Sequence, residues 1–186
     1  FEGEQREQGE TLGGLRRGFV MALFMIYALL AIPLRSYVQP FLIMTAIPFG
    51  IVGAVLAHLL LGMDLSILSM FGIVALAGVV VNDSLVMVDY VNRHVADGMS
   101  MGEAIRQAGR VRFRPILLTS LTTAAGLLPI ILEKSLQARF LIPMALSLAG
   151  GVLFATAITL LMIPCGYLVL NDLKRLGQRI SGRDNA

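Results

Sequence analysis

The chain has few charged residues and a single cysteine, and both shortages exclude whole classes of protein. Only 15% of its 186 residues are charged and 56% are hydrophobic, a balance that excludes an ordinary soluble domain. The lone Cys165 excludes an internal disulfide, and no Cys/His spacing typical of a zinc site occurs. The metalloprotease motif H-E-x-x-H and the phosphate loop G-x-x-x-x-G-K-[ST] are also missing. The sequence therefore predicts neither an enzyme nor a cofactor-binding protein.

Long apolar runs are what the chain does have, and its mean hydropathy is +0.79. Each run approaches or exceeds the roughly 20 residues that cross a bilayer as a helix. An isolated strand in lipid would leave its backbone groups unpaired, so we predict an all-α integral membrane fold with five transmembrane helices. The bundle is predicted over residues 16–172, with spans at 18–34, 41–63, 67–91, 115–132 and 140–170.

Basic residues between the spans predict the orientation. With the N-terminus outside, ten Lys and Arg residues lie on the cytoplasmic side and five lie outside, as the positive-inside tendency favours. Arg16 and Arg17 run against this tendency. We expect residues 173–186 to form a cytoplasmic tail. Because the basic residues flank membrane spans, the net charge of +3 indicates contact with lipid and not with nucleic acid.

Local patterns predict how the helices begin and pack. Ser66 is the predicted N-cap of the third span. Ser100 and Glu103 fit a capping box, which predicts a short amphipathic helix at the cytoplasmic interface over residues 101–109, ended by Gly109. Small residues predict close-packing faces on the second and fifth spans. These faces are Gly50, Gly53, Ala54 and Ala57, and Ala149, Gly150, Gly151 and Ala155.

Asp83 is the charged residue placed deepest in a span, and it stands between Asn82 and Ser84. A charge at that depth costs roughly 2.5–3.5 kcal/mol on insertion scales, and such residues usually line an ion or substrate path. Three consecutive residues spread over about 200° of a helix, so at least one of them contacts a different neighbour. Two interpretations stand: a carboxyl group that takes up and releases protons, or a polar clamp that only holds helices together.

Hydroxyl groups on the fourth span are the candidate partners of Asp83. Thr119, Ser120, Thr122 and Thr123 cluster there, and Thr119 shares a face with Thr123. Such hydroxyls bond either to another helix or to their own i−4 carbonyl groups. The core of this span contains no acid, so the two facing carboxylates of an intramembrane aspartyl protease are missing.

Four stretches, in this order and at this spacing, resemble a known family. Over essentially its whole length the chain is similar to the C-terminal half of the membrane domain of resistance–nodulation–division (RND) efflux permeases. The likeness is to the hydrophobe/amphiphile drug-pump branch and its relatives. The matching stretches are Leu34–Pro40, Ala46–Ala54, Gly78–Val86 and Arg112–Ser120.

The resemblance implies a twelve-helix permease of which helices eight to twelve are present here. Residues 1–15 would be the end of a periplasmic porter domain, and Phe1 an internal start. It implies substrate:proton antiport across the bacterial inner membrane by a homotrimer, with the N-terminus of this chain periplasmic and its C-terminus cytoplasmic. The implied partners are helices one to seven and the porter domain of the same protein, a periplasmic adaptor and an outer-membrane channel.

Site residues are also implied by the resemblance. In the family an acidic pair on helix four couples to polar residues on helices ten and eleven. By motif, Asn82 stands where many drug pumps have a lysine, Asp83 takes the next position, Thr119 matches the relay threonine and Arg112 the arginine at its inner end. Asparagine cannot form the lysine's ion pair, so either Asp83 adds a titratable group of its own or the proton path differs. Thr123 and Ser84 are expected to support the site, which has no metal.

Two other functions remain open at this stage. The first is an RND permease for another cargo, such as a metal ion or a lipid. Metal export is less favoured because the methionines are scattered across the spans, with no pair around the polar cluster. The second is a structural membrane scaffold in which Asp83 only fixes the packing of helices.

Overall fold

The computed structural model describes residues 2–180, with side chains described at residue 7 and from 9 to 170. Within that range there are only helices and no strand. Five helical segments are long and apolar enough to cross a membrane, so the predicted all-α fold with five spans is confirmed. The helices are α1 (Glu2–Leu34), α2 (Gln39–Met44), α3 (Ala46–Leu61), α4 (Ile67–Ala96), α5 (Met101–Leu132) and α6 (Ala138–Ile180).

The second span consists of α2 and α3, which are interrupted at Thr45. Pro48 has no amide hydrogen to donate to the Met44 carbonyl, so the helical ladder of hydrogen bonds is broken there. Thr45 keeps helical backbone angles, and the two helices form one continuous span. Gly62 ends α3 in the left-handed region, with φ of 63°, and the N–H of Met63 then donates to the His58 carbonyl at 2.9 Å.

α6 lies at the centre of the bundle, and α3, α4 and α5 all pack against it. The two predicted small-residue faces meet each other. A Cβ atom at Gly53 would lie 2.9 Å from the carbonyl oxygen of Gly150, and one at Gly150 would clash with Ala57. Glycine at these positions lets the two backbones approach closely, so the prediction of close-packing faces is confirmed.

Ser66 caps α4 as predicted. Its hydroxyl accepts from the Ser69 N–H at 3.3 Å, and the Ser69 hydroxyl accepts from the Ser66 N–H at 3.0 Å. Ser69 also bonds to Nε2 of the buried His58 at 2.9 Å, while Nδ1 of that ring lies 2.9 Å from the Ala54 carbonyl. Since a carbonyl only accepts, Nδ1 carries a proton and donates it to the Ala54 carbonyl. The His58–Ser69 bond ties α3 to α4 at the end opposite Ala96.

The start of α5 differs from the prediction. A separate helix over 101–109 ended by Gly109 is wrong, because α5 runs unbroken from Met101 to Leu132. Gly109 is not in the left-handed region, so it does not form the turn that ends helices. Ser100 does hold the N-cap position, but its side chain makes no capping hydrogen bond, so the predicted capping box with Glu103 is also wrong.

Both ends of the chain continue the helices of the bundle. Residues 2–15 belong to the same helix as the first span, and α6 continues past the fifth span to Ile180. The expected tail is therefore helical in its first part, while Phe1 and residues 181–186 lie outside the described residues. The assignment of 1–15 to a porter domain and of 173–186 to a cytoplasmic tail stays a prediction.

Candidate functional site

Asp83 lies in the central part of α4, on the side that faces the bundle. Its side chain is 8% exposed, and its Oδ2 atom is buried without a hydrogen-bond partner among the described residues. Between Ile67 and Val88 no other residue of α4 carries a charge. Buried polar atoms are usually paired, and this unpaired oxygen is free to carry a proton as a hydroxyl donor or to accept a further hydrogen bond.

Ser120 of α5 and Thr156 of α6 complete a polar site around this carboxyl group. Ser120 lies beside the Asp83 side chain, and its Oγ lies 2.6 Å from the Thr156 Oγ1. The Ser120 hydroxyl also reaches the Ile116 carbonyl of its own helix at 3.0 Å. Ser120 is 1% exposed and Thr156 is 4% exposed. The chain of groups from Asp83 to Ser120 to Thr156 therefore joins α4, α5 and α6 inside the bundle.

Asn82 and Thr119 lie on the surface of the described bundle and not in this buried site. The step from Asn82 to Asp83 rotates the side chain by about 100°, which turns Asn82 outward. The Thr119 hydroxyl donates to the Pro115 carbonyl at 2.9 Å. The structure thus separates two of the predicted site residues from Asp83.

Arg112 lies further along the bundle, toward the Ala96 end of α4. Its guanidinium carbon is 5.0 Å from the centre of the Tyr90 ring, a distance at which a cation is attracted to an aromatic face. Its Nε atom is buried without a hydrogen-bond partner among the described residues. Tyr90 is seven residues from Asp83, about 10 Å along the helix. Arg112 thus contacts α4 about two helical turns from Asp83 and not at its carboxyl group.

A surface cleft lies beside Arg112, at the end of α4 that holds Tyr90. Arg112 lines it from α5, Val86 and Asp89 line it from α4, and Pro33 lines it from α1. Asn82 precedes Val86 by four residues, and Thr119 follows Arg112 by seven, spacings that keep residues on one helix face. Asn82, Thr119 and Arg112 therefore share the α4–α5 side of the bundle, while Asp83 points inward.

The remaining predicted residues bond only within their own helices. Ser84 is buried and donates to the Val80 carbonyl at 3.0 Å, and Thr123 donates to the Thr119 carbonyl at 2.8 Å. Thr122 likewise bonds to carbonyls of α5. The alternative reading of this hydroxyl cluster, bonds to i−4 carbonyls, is thus correct for all its members, and Ser120 alone adds a bond to another helix.

A second polar cluster joins three helices near the 97–100 connection. The side-chain amides of Gln39 and Asn92 bond reciprocally, at 2.8 and 3.1 Å. The Tyr167 hydroxyl donates to the Asn92 side-chain oxygen. α2, α4 and α6 are thereby fixed to one another about two and a half turns of α4 from Asp83.

We expect Tyr167→Phe to lower the free energy of unfolding by about 0.6–1.7 kcal/mol, the range for hydrogen bonds between helices in membranes. Detergent-induced unfolding of the purified protein measures this change. Tyr37→Phe is the matched control, because Tyr37 is 80% exposed and its variant should unfold like the wild type. Equal stabilities of the two variants would show that the Tyr167 hydroxyl contributes nothing to the fold.

The described residues offer neither a metal centre nor a serine nucleophile. No group of three or more His, Cys, Asp or Glu side chains that could hold a metal ion occurs among them. The residues Gly98–Gly102 match the motif G-x-S-x-G. This motif forms a nucleophile elbow only between a strand and a helix. Here the segment joins the helices α4 and α5, so Ser100 is not such a nucleophile.

Sequence reasoning missed Thr156 and chose Thr119 where the structure places Ser120 next to Asp83. A signal was present on α5, because Ser120 lies four residues from both of the apolar residues Ile116 and Ala124. Residues four apart share a helix face, whereas Thr119 lies four residues from another threonine, Thr123. The resemblance directed attention to Thr119, which belongs to the neighbouring face.

Comparisons with known proteins agree with this architecture. The AcrB/AcrD/AcrF family model matches residues 1–171. A crystal structure of a heavy metal efflux pump, crystal form I, is 31% identical over 90% of this chain, with a TM-score of 0.81. Crystal form II is 32% identical over 92% of the chain, with a TM-score of 0.78. In each case the chain spans 17% of the length of the protein that it matches.

Proposed function

Because the chain belongs to the AcrB/AcrD/AcrF family of RND permeases, we propose that it forms the C-terminal half of the membrane domain of a longer efflux permease. The observation that carries this proposal is a buried acid, Asp83, within a bundle of five membrane-spanning segments. The chain's 17% share of the matched proteins agrees with a missing larger part. That part would contain seven further spans and the porter domains.

The proposed reaction is export of a substrate in exchange for protons. Asp83 takes up a proton on one side of the membrane and releases it on the other as the helices repack. Its unpartnered Oδ2 atom supports this role, because a permanently paired clamp would have both oxygens satisfied. Movement of α4 relative to α5 and α6 then transmits the change to the substrate-binding domains.

Asn82, Thr119 and Arg112 take a different part in this proposal. Asn82 and Thr119 are exposed on the described bundle and Arg112 lines a surface cleft beside α4, so helices of the missing half can reach them. Thr119 offers a hydroxyl and Asn82 an amide to an acidic pair on such a helix, while Arg112 supplies the charge that Asn82 lacks. Ser84 and Thr123 keep their helices regular and do not carry protons.

The setting proposed for the complete protein follows the family. It is a homotrimer in the bacterial inner membrane, with the N-terminus of this chain periplasmic and its C-terminus cytoplasmic. A periplasmic adaptor and an outer-membrane channel would complete the export path. The ten-to-five distribution of basic residues supports this orientation.

Cargo separates two candidate functions. A hydrophobic or amphiphilic compound is our first proposal, on the likeness of the four sequence stretches to drug pumps. A metal ion is the second, favoured by the match to two structures of a heavy metal efflux pump. Expression of the complete permease in an efflux-deficient bacterium decides between them: protection against amphiphilic dyes supports the first, and protection against copper, silver or zinc alone supports the second.

Dependence on the proton gradient tests the reaction itself. We expect export by the complete permease in proteoliposomes to fall to the protein-free background when a protonophore collapses the gradient, because Asp83 can then no longer cycle. The control is a gradient restored in the same vesicles, which should restore export. Undiminished export without a gradient would contradict antiport, and a structural scaffold would show no export under either condition.

A further inference from the structure

Two buried hydroxyl groups beside Asp83 have no role in the antiport reaction as proposed above. Ser120 and Thr156 belong to different helices, and both are almost fully buried. The spanning part of α6, residues 140–170, contains no Asp, Glu, Lys, Arg or His. The Ser120–Thr156 bond is therefore a polar link from the acid on α4 to the uncharged spanning part of α6.

The Ser120 hydroxyl has three polar neighbours, and it can donate to only one of them at a time. Its hydroxyl has a single hydrogen and two acceptor lone pairs. The neighbours are the Asp83 carboxyl group, the Ile116 carbonyl at 3.0 Å and the Thr156 hydroxyl at 2.6 Å. The Ile116 carbonyl can only accept, whereas the protonated Asp83 and Thr156 can also donate.

Two arrangements satisfy these groups, and they differ by one proton on Asp83. When Asp83 is a carboxylate it can only accept, so Ser120 donates to it and accepts from Thr156. When Asp83 is protonated, its new O–H donates to Ser120, and the Ser120 hydrogen turns to the Ile116 carbonyl. Thr156 donates to Ser120 in both arrangements, and no other proton is gained or lost.

We infer that Ser120 is the group that exchanges donor and acceptor roles with Asp83 in each proton cycle, and that Thr156 holds Ser120 in position for both roles. Both are positioning residues for the proton site, and this inference rests on the proposed antiport function. Ser120 stabilises each protonation state of the acid in turn. Thr156 makes α6 part of the site, although α6 has no ionisable group at that level.

Other titratable groups on the surrounding helices lie too far along α4 to take over this exchange. The side-chain contacts that three of these groups make with α4 lie at least seven residues from Asp83, a rise of about 10 Å or more. These contacts are His58 at Ser69, Arg112 at Tyr90 and Tyr167 at Asn92. α5 carries no charge from Pro115 onward within the span.

The pH profile of export by the complete permease tests the inference. Ser120→Ala removes the donor to the carboxylate, and hydrogen bonds to charged acceptors are about twice as strong as neutral ones. Asp83 should therefore hold its proton more tightly in this variant. The pH profile of export should then move toward higher pH by about one unit. Thr156→Val should move it in the same direction by a smaller amount, and Thr156→Ser, which keeps the hydroxyl, should restore the wild-type profile.

Thr159→Val is the matched control, because the Thr159 hydroxyl is also buried on α6 but bonds only to the Thr156 carbonyl of its own helix. It should keep the wild-type profile. Wild-type profiles in Ser120→Ala and Thr156→Val, with Asp83→Asn inactive, would overturn the inference and leave the antiport proposal standing. Equal shifts in Thr159→Val and Thr156→Ser would also overturn it, since packing would then explain the effect. Full activity of Asp83→Asn would instead remove the antiport role of Asp83.

Discussion

The Asp83→Asn variant of the complete permease exports at about one-hundredth of the wild-type rate or less, because asparagine keeps the size of the side chain but cannot bind or release a proton. Loss of a positioned proton-transfer group typically slows a reaction by about 10²- to 10⁴-fold. Asp83 is the one carboxyl group between Ile67 and Val88 of α4. Uptake of a fluorescent substrate into inverted membrane vesicles measures the rate.

Asp97→Asn is the matched control on the same helix. Asp97 is the exposed C-cap residue of α4, about 20 Å along the helix from Asp83, and exposed charges contribute little to stability. This variant should export within about twofold of the wild type. Export by Asp83→Asn at the rate of the control would exclude Asp83 from coupling. Equal amounts of folded protein in the membrane are required for both variants, so that lost activity reflects chemistry and not folding.

Gly53→Ala gives the largest effect on stability that we expect from a single methyl group. The new Cβ would overlap the Cβ of Phe154 and lie 2.9 Å from the carbonyl oxygen of Gly150. Neither atom can move aside by a side-chain rotation, so α3 and α6 must separate. Inserting a methyl group into a packed core usually costs about 1–3 kcal/mol, and unfolding in increasing SDS measures this loss.

Gly109→Ala is the control for this measurement. No atom lies within 4 Å of a Cβ at Gly109, and alanine is the better helix former by about 1 kcal/mol. We expect this variant to be as stable as the wild type or more so. A Gly53→Ala protein that unfolds like the Gly109→Ala protein would contradict the close contact of α3 with α6.

Sequence reasoning predicted the parts of the fold that depend on composition and on helix-face spacing. Gly53 and Gly150 were identified because small residues at spacings of three and four mark helix contacts in membranes. Ser66 was identified because a serine before an apolar run satisfies free N–H groups. The helix over 101–109 was wrong because Gly109 can end a helix but need not, and α5 continues where nothing stops it.

The candidate site was predicted only in part, for a geometric reason. Asp83 could be found because a carboxyl group among apolar residues is conspicuous along the chain. Thr156 could not, since a hydroxyl in an apolar helix becomes a partner only through the rotation of α6 against α5. The same limit applies to Tyr167 and Asn92, which are 75 residues apart. Such contacts depend on how helices are arranged around one another, which helical periodicity does not specify.

Infrared titration of the intact permease in lipid tests most directly whether Asp83 changes its protonation state. We predict a protonated-carboxyl band that disappears as the pH rises through the range in which export operates, and that is missing from the Asp83→Asn protein. A band attributable to Asp83 that stays constant across that range, in either protonation state, would contradict the coupling role and leave this carboxyl group as a polar contact between helices.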